Sequence, residues 1–128
     1  MIEVLNKNNK RIGFIEGEKC FNKKHKLIGY LEGNEVKNKE GNVFFKLDKH
    51  NAVFMGNDQV GFIYNSVIYF REQPVFEVLK EKKEIYTSDQ KKVLRLIGKH
   101  EKVDDIDFFA IATLFLKSNW MDIVFQHY

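Results

Sequence analysis

The chain has 128 residues, 44% of them hydrophobic and 30% charged, with one proline and one cysteine. That length suits one domain, residues 1–128, able to bury a core without disulfides, and a lone Cys20 excludes an internal one. The formal net charge is +3, yet only three of the 21 basic residues are arginine, Arg11, Arg71 and Arg95. So few guanidinium forks argue against sequence-specific nucleic-acid recognition.

The opening residues, MIEVLNKNNK, lack the apolar core of a signal peptide. The longest apolar run, Phe108 to Leu116, falls short of the roughly 20 residues that span a bilayer. A soluble cytoplasmic protein is the expectation.

From Glu3 the chain repeats itself every sixteen residues: EVLNKNNKRIGFIEGE, KCFNKKHKLIGYLEGN, EVKNKEGNVFFKLDKH, NAVFMGNDQVGFIYNS. A weaker fifth block begins at Val67 and, after one inserted residue, a sixth at Glu84, so that blocks fill residues 3–99. Each block opens on a short apolar pair, passes through a polar tip and closes on a second apolar stretch. Asn and Gly tolerate positive φ and favour tight turns, so each block reads as a β-hairpin. Asn6, Asn22 and Asn38 are placed to bond the backbone beyond them, with Asn9, His25 and Gly41 as left-handed residues. Gly56-Asn57 does the same work in the fourth block.

The second strand of each block carries an apolar residue at its tenth position (Ile12, Ile28, Phe44, Val60, Phe76, Val93) and Ile or Leu at its thirteenth (Ile15, Leu31, Leu47, Ile63, Leu79, Leu96). Three-residue spacing breaks the alternation of a flat strand, so either both faces are buried or a bulge re-aims the chain. Gly13, Gly29 and Gly61 lie in the gap, where glycine marks a bulge or a close backbone approach.

After the hairpins, Val103-Asp-Asp-Ile-Asp107 predicts a helix start capped by Asp104. The helix covers about 104–118 and is apolar around its whole circumference, the pattern of a buried helix. Asn119 offers a left-handed cap, and 119–128 is a mixed tail that continues as helix or adds a strand. The fold class is therefore mainly β: about six antiparallel hairpins in a closed or nearly closed barrel, packed around or against a hydrophobic C-terminal helix. Phe109, Ala112 and Leu116 are expected to be almost fully buried.

The blocks VLNKNNKRIGFIEG, CFNKKHKLIGYLEG and VKNKEGNVFFKL resemble the repeat units of the bacterial four-fold beta-flower family, over roughly the first seventy residues. That resemblance implies architecture only. More distantly, hairpins followed by DDIDFFAIATLFLKS are similar in plan to the Tubby C-terminal and scramblase-like domains, twelve-stranded barrels around a central helix. Some of those domains bind phosphoinositides or act at membranes, and this chain shows no lipid-headgroup motif of theirs.

No phosphate loop, histidine pair or Cys/His cluster appears, so no cofactor, metal or catalytic residue is expected. Glu16 and Glu32 recur at equivalent positions but are not matched in the fourth block, which has Tyr64, and they read as solvated connectors. Cys20 occupies an apolar strand position and reads as a buried small hydrophobe. Two candidate surfaces remain. Lys7, Lys10, Arg11, Lys23, Lys24, Lys26 and Lys39 fall at the first three tips and would form a basic, anion-binding rim if those hairpins are neighbours. Trp120, Met121, Phe125 and Tyr128 would form an apolar partner-contact patch. The expected function is a non-enzymatic binding or scaffold module acting through a protein partner. The alternatives are peripheral binding of anionic lipid or phosphoinositide through the lysine-rich tips, or carriage of a small ligand.

Overall fold

A computed structural model describes residues 1–98 and 103–125. Twelve strands run in chain order: β1 (Ile2–Leu5), β2 (Arg11–Glu16), β3 (Lys19–Asn22), β4 (Leu27–Glu32), β5 (Glu35–Asn38) and β6 (Val43–Leu47). They continue as β7 (Ala52–Met55), β8 (Asp58–Tyr64), β9 (Val67–Phe70), β10 (Gln73–Leu79), β11 (Glu84–Thr87) and β12 (Val93–Gly98). Every strand pairs antiparallel with its neighbours in sequence, and β1 pairs with β12, Val4 opposite Leu96, to close the barrel. Closure leaves no open sheet edge, which keeps so many short strands from pairing with other chains.

Turn chemistry sets the strand lengths. In the first three tips the Asn side chain accepts two backbone N–H groups; Asn22 Oδ1 takes those of Lys24 at 2.9 Å and Lys26 at 3.1 Å. Asn6 and Asn38 do the same. Asn9, His25 and Gly41 have positive φ, as the turn pattern predicts. Asp48 builds a turn of the same kind at the opposite end of the barrel.

The three-residue spacing is a β-bulge. Register shifts between Val4 and Leu5, and between Cys20 and Phe21, leave Ile12 and Ile28 as the extra residues. A bulge turns two successive side chains the same way. Ile12 thus packs on the core while Gly13 also faces the lumen, where a Cβ would stand 2.3 Å from the Phe115 ring. At Gly61 the close neighbour is instead the Tyr69 carbonyl on β9. The aromatics that follow the glycines point outward and pair across strands, Phe14 on Phe21 and Phe62 on Tyr69, with centroids 4.9 and 4.6 Å apart.

The gapless sixteen-residue alignment slips in the later blocks. Two-residue tips, Gly56-Asn57 and Arg71-Glu72, replace five-residue ones, so the lumen position opposite Gly61 belongs to Val53, not Ala52. In β10 the extra residue is Val75 rather than Phe76, and Val78, rather than Leu79, donates to Ser66 O as Leu31 and Leu47 donate to Glu18 O and Asn34 O. β12 has no bulge; Leu94 and Leu96 simply alternate into the core and Val93 stays half-buried.

Helix α1 (Asp105–Phe115) fills the barrel. Asp104 precedes it in extended conformation, and its N–H donates to the Asp107 carboxylate at 2.8 Å. Phe109 and Ala112 are wholly buried and Leu116 nearly so. The helix ends at Phe115 with Leu116 as its C-cap, earlier than the expected 118, and the axis turns by 86° into α2 (Lys117–Phe125). Asn119 therefore lies inside a helix and is no left-handed cap, and the start of the expected tail, through Phe125, is helical. α2 lies across the end of the barrel that carries the lysine tips.

One polar network on the outer wall gives a test. Glu84 accepts from Arg95 at 2.8 and 3.1 Å and from the Tyr86 hydroxyl at 2.9 Å, and Arg95 reaches on to Asn9 Oδ1 at 2.7 Å. Chiefly the Arg95 hydrogen bonds hold the Glu84 carboxyl below its ordinary value. A carboxyl depressed in the folded state stabilises at neutral pH, and that contribution is lost as pH falls from the ordinary value of about 4.3 through the folded one. Urea unfolding should find Glu84→Gln less stable than the parent at about pH 7, with the gap narrowed at about pH 3. An unchanged gap would exclude this linkage.

Candidate functional site: a basic barrel end capped by a helix

Because strands alternate in direction, the six tips between β1 and β2, β3 and β4, and so on to β11 and β12 emerge at one end. Lys7, Lys10, Arg11, Lys23, Lys24, Lys26 and Lys39 are all exposed there, on three adjacent hairpins. Barrel closure sets the sixth tip beside the first and adds Lys91 and Lys92, which reasoning from the first three blocks missed. These four tips (residues 6–11, 22–26, 38–42 and 88–92) hold nine Lys or Arg side chains against two carboxylates, Glu40 and Asp89. The whole chain has a net charge of only +3, so charge is concentrated at this end. The opposite end is mixed: Glu16, Glu18, Glu32 and Glu81 alternate with lysines around the acidic first turn of α1.

Among the described residues, much of the rim's positive charge has no carboxylate partner. Arg11 lies 3.4 Å from Glu3 and 4.4 Å over the Phe14 ring. Asp89 is engaged within its own turn by the Thr87 hydroxyl and the Lys91 N–H. Lys92 Nζ donates to Ser118 Oγ and Asn119 Oδ1, each at 3.3 Å, and so ties the sixth tip to α2. At the far end of α2, Arg71 bonds the Val124 carbonyl at 3.2 Å and the Asp58 carboxylate at 2.9 Å. Lys117 sits 5.4 Å over the Phe44 ring. The cap helix is thereby fastened at both ends.

The expected apolar patch divides. Trp120 is 1% exposed, its ring set among Phe44, Phe45 and Phe70, so it belongs to the core and is not a surface contact. The 86° bend points it back into the barrel mouth. Met121 and Phe125, 38% and 43% exposed, lie four residues apart on the solvent side of α2, and Val43, beside the third tip, is also exposed. Tyr128 lies outside the described residues.

Chemistry of the catalytic kind is thin. Among the described residues no three His, Cys, Asp or Glu side chains are grouped to hold a metal ion. Cys20 is fully buried, and burial, with the nearby Asp107 charge, pushes its thiol up to about 12, away from a reactive thiolate. A polar cleft of about 500 Å³ opens at the opposite end, by the start of α1. Four of its polar side chains already bond one another or the backbone: Lys80 with Asp105, Asn34 with Leu47 O, Asp48 with two N–H groups. No single described helix is long and apolar enough to cross a membrane. No family model, curated protein or solved structure matches the chain.

Proposed function

We propose that the protein is a non-enzymatic binding module whose working face is the lysine-rich barrel end, and that this face docks on an anionic membrane surface. The observation that carries the reading is the arc of four adjacent basic tips beside a helix that presents Met121 and Phe125 outward. Lysines near an anionic bilayer contribute about 1 kcal/mol each, and two exposed apolar side chains add shallow insertion. A protein partner, the first expectation from the sequence, would use this face too if it is acidic, with Met121 and Phe125 as its apolar anchor.

Vesicle co-sedimentation tests the proposal. Binding to vesicles containing phosphatidylglycerol should exceed binding to phosphatidylcholine vesicles and fall steeply with added salt. Each Lys→Ala change at Lys7, Lys23 or Lys24 should weaken it about fivefold. Equal binding to both vesicle types at low salt would sink the membrane reading.

A further inference from the structure

A groove of about 300 Å³ runs between the first and sixth tips, where β1–β2 and β11–β12 meet on barrel closure. Its floor is apolar, made by Ile12, Val93, Leu94 and Leu116. Its rim carries Lys7, Lys91 and Lys92. Among the described residues no carboxylate lines it and none pairs with these three lysines. The nearest acid in sequence, Asp89, is held by Thr87 and the Lys91 N–H.

We infer that this groove binds a single-chain anionic amphiphile, its carboxylate or other small anionic head on the lysine rim and its alkyl chain over the Leu94–Leu116 floor. The complementarity has two halves. Ammonium groups without carboxylate partners favour an anionic head, and an apolar floor favours a chain that leaves water. The volume stands at the lower limit of small-molecule sites, room for one short chain and too little for the paired chains of a bilayer lipid. The site is a discrete one for a soluble ligand, and it goes beyond docking of the whole face on a membrane.

Decanoate, decanol and inorganic phosphate, each titrated into the full chain with decanoate below its micelle concentration, separate the halves. Decanoate should shift the methyl resonances of Leu94 and Leu116, with decanol binding about fivefold or more weakly and phosphate alone weaker still. Val93→Phe fills the groove and should abolish decanoate binding while leaving vesicle binding intact. Lys7→Gln with Lys91→Gln, two exposed changes that do not touch the core, should weaken decanoate toward the level of decanol. Decanol or phosphate binding as tightly as decanoate overturns the inference. So does decanoate binding that survives the double lysine change or a folded Val93→Phe variant.

Discussion

Trp120→Ala should lower the free energy of unfolding by about 3–5 kcal/mol, the range for emptying a buried Trp or Phe site. The ring is 4.8 Å from Phe45 and 5.8 Å from Phe70, and Phe45 in turn meets Phe109 of α1 at 5.4 Å, so the side chain joins cap, wall and central helix. A second loss compounds the cavity. Trp120 Nε1 donates to the Thr113 carbonyl at 2.8 Å. That carbonyl lies in the last turn of α1, where helix carbonyls lack partners within the helix, and the 86° bend carries the chain away. Trp120→Phe keeps much of the packing while removing the donor and part of the buried ring, so it should cost about 1–3 kcal/mol. Chemical denaturation measures both. A cost below about 1 kcal/mol for the alanine variant would show that α2 is not integral to the core.

Gly13→Ala is the second large effect, although it adds only one methyl group. Its Cβ would stand 2.3 Å from Phe115 Cε1 on one side and 2.4 Å from the Phe21 carbonyl oxygen on the other. The ring could turn aside, but the carbonyl belongs to β3, which pairs with β2 at this point. The expected cost is about 3 kcal/mol, the upper part of the range for overpacking. Phe115→Leu in the same chain should return part of it, because only one of the two clashes is relieved. Gly17 supplies the contrast. It has φ +63° and nothing within 4 Å of an added Cβ, so Gly17→Ala should cost only about 1 kcal/mol of backbone strain. Equal costs at the two positions would contradict a lumen filled by α1 at Gly13.

What the sequence disclosed was the local part of this architecture. Asn22 and Asn38 announced their turns because one side chain and the next four residues are enough to make them. The Ile12–Ile15 spacing with Gly13 between left a bulge or a strand buried on both faces open, and the register shift opposite Val4 and Leu5 decides for the bulge. Register in the later blocks was less legible, because a two-residue tip such as Arg71-Glu72 shortens the path by one residue and moves each lumen position with it. Tertiary geometry decided the rest. Lys117-Ser118-Asn119 looks like a helix exit in sequence. In the fold it begins a second helix, and that bend converts Trp120 from an apparent surface residue into a core one. Lys91 and Lys92 joined the basic face only because β12 closes on β1, a pairing between residues ninety or more positions apart.

On the proposed function, position in the barrel, rather than overall lysine content, makes the working face. Two triple charge reversals that change net charge equally test it most directly: Lys7, Lys23 and Lys24 to Glu at the tip end, against Lys19, Lys49 and Lys82 to Glu at the opposite end, all exposed. In vesicle co-sedimentation at fixed low salt, the tip-end variant should lose binding to anionic vesicles while the other retains most of the parent's. Equal losses in the two variants would mean that the protein senses only its net charge, and the claim for a dedicated basic end would fall.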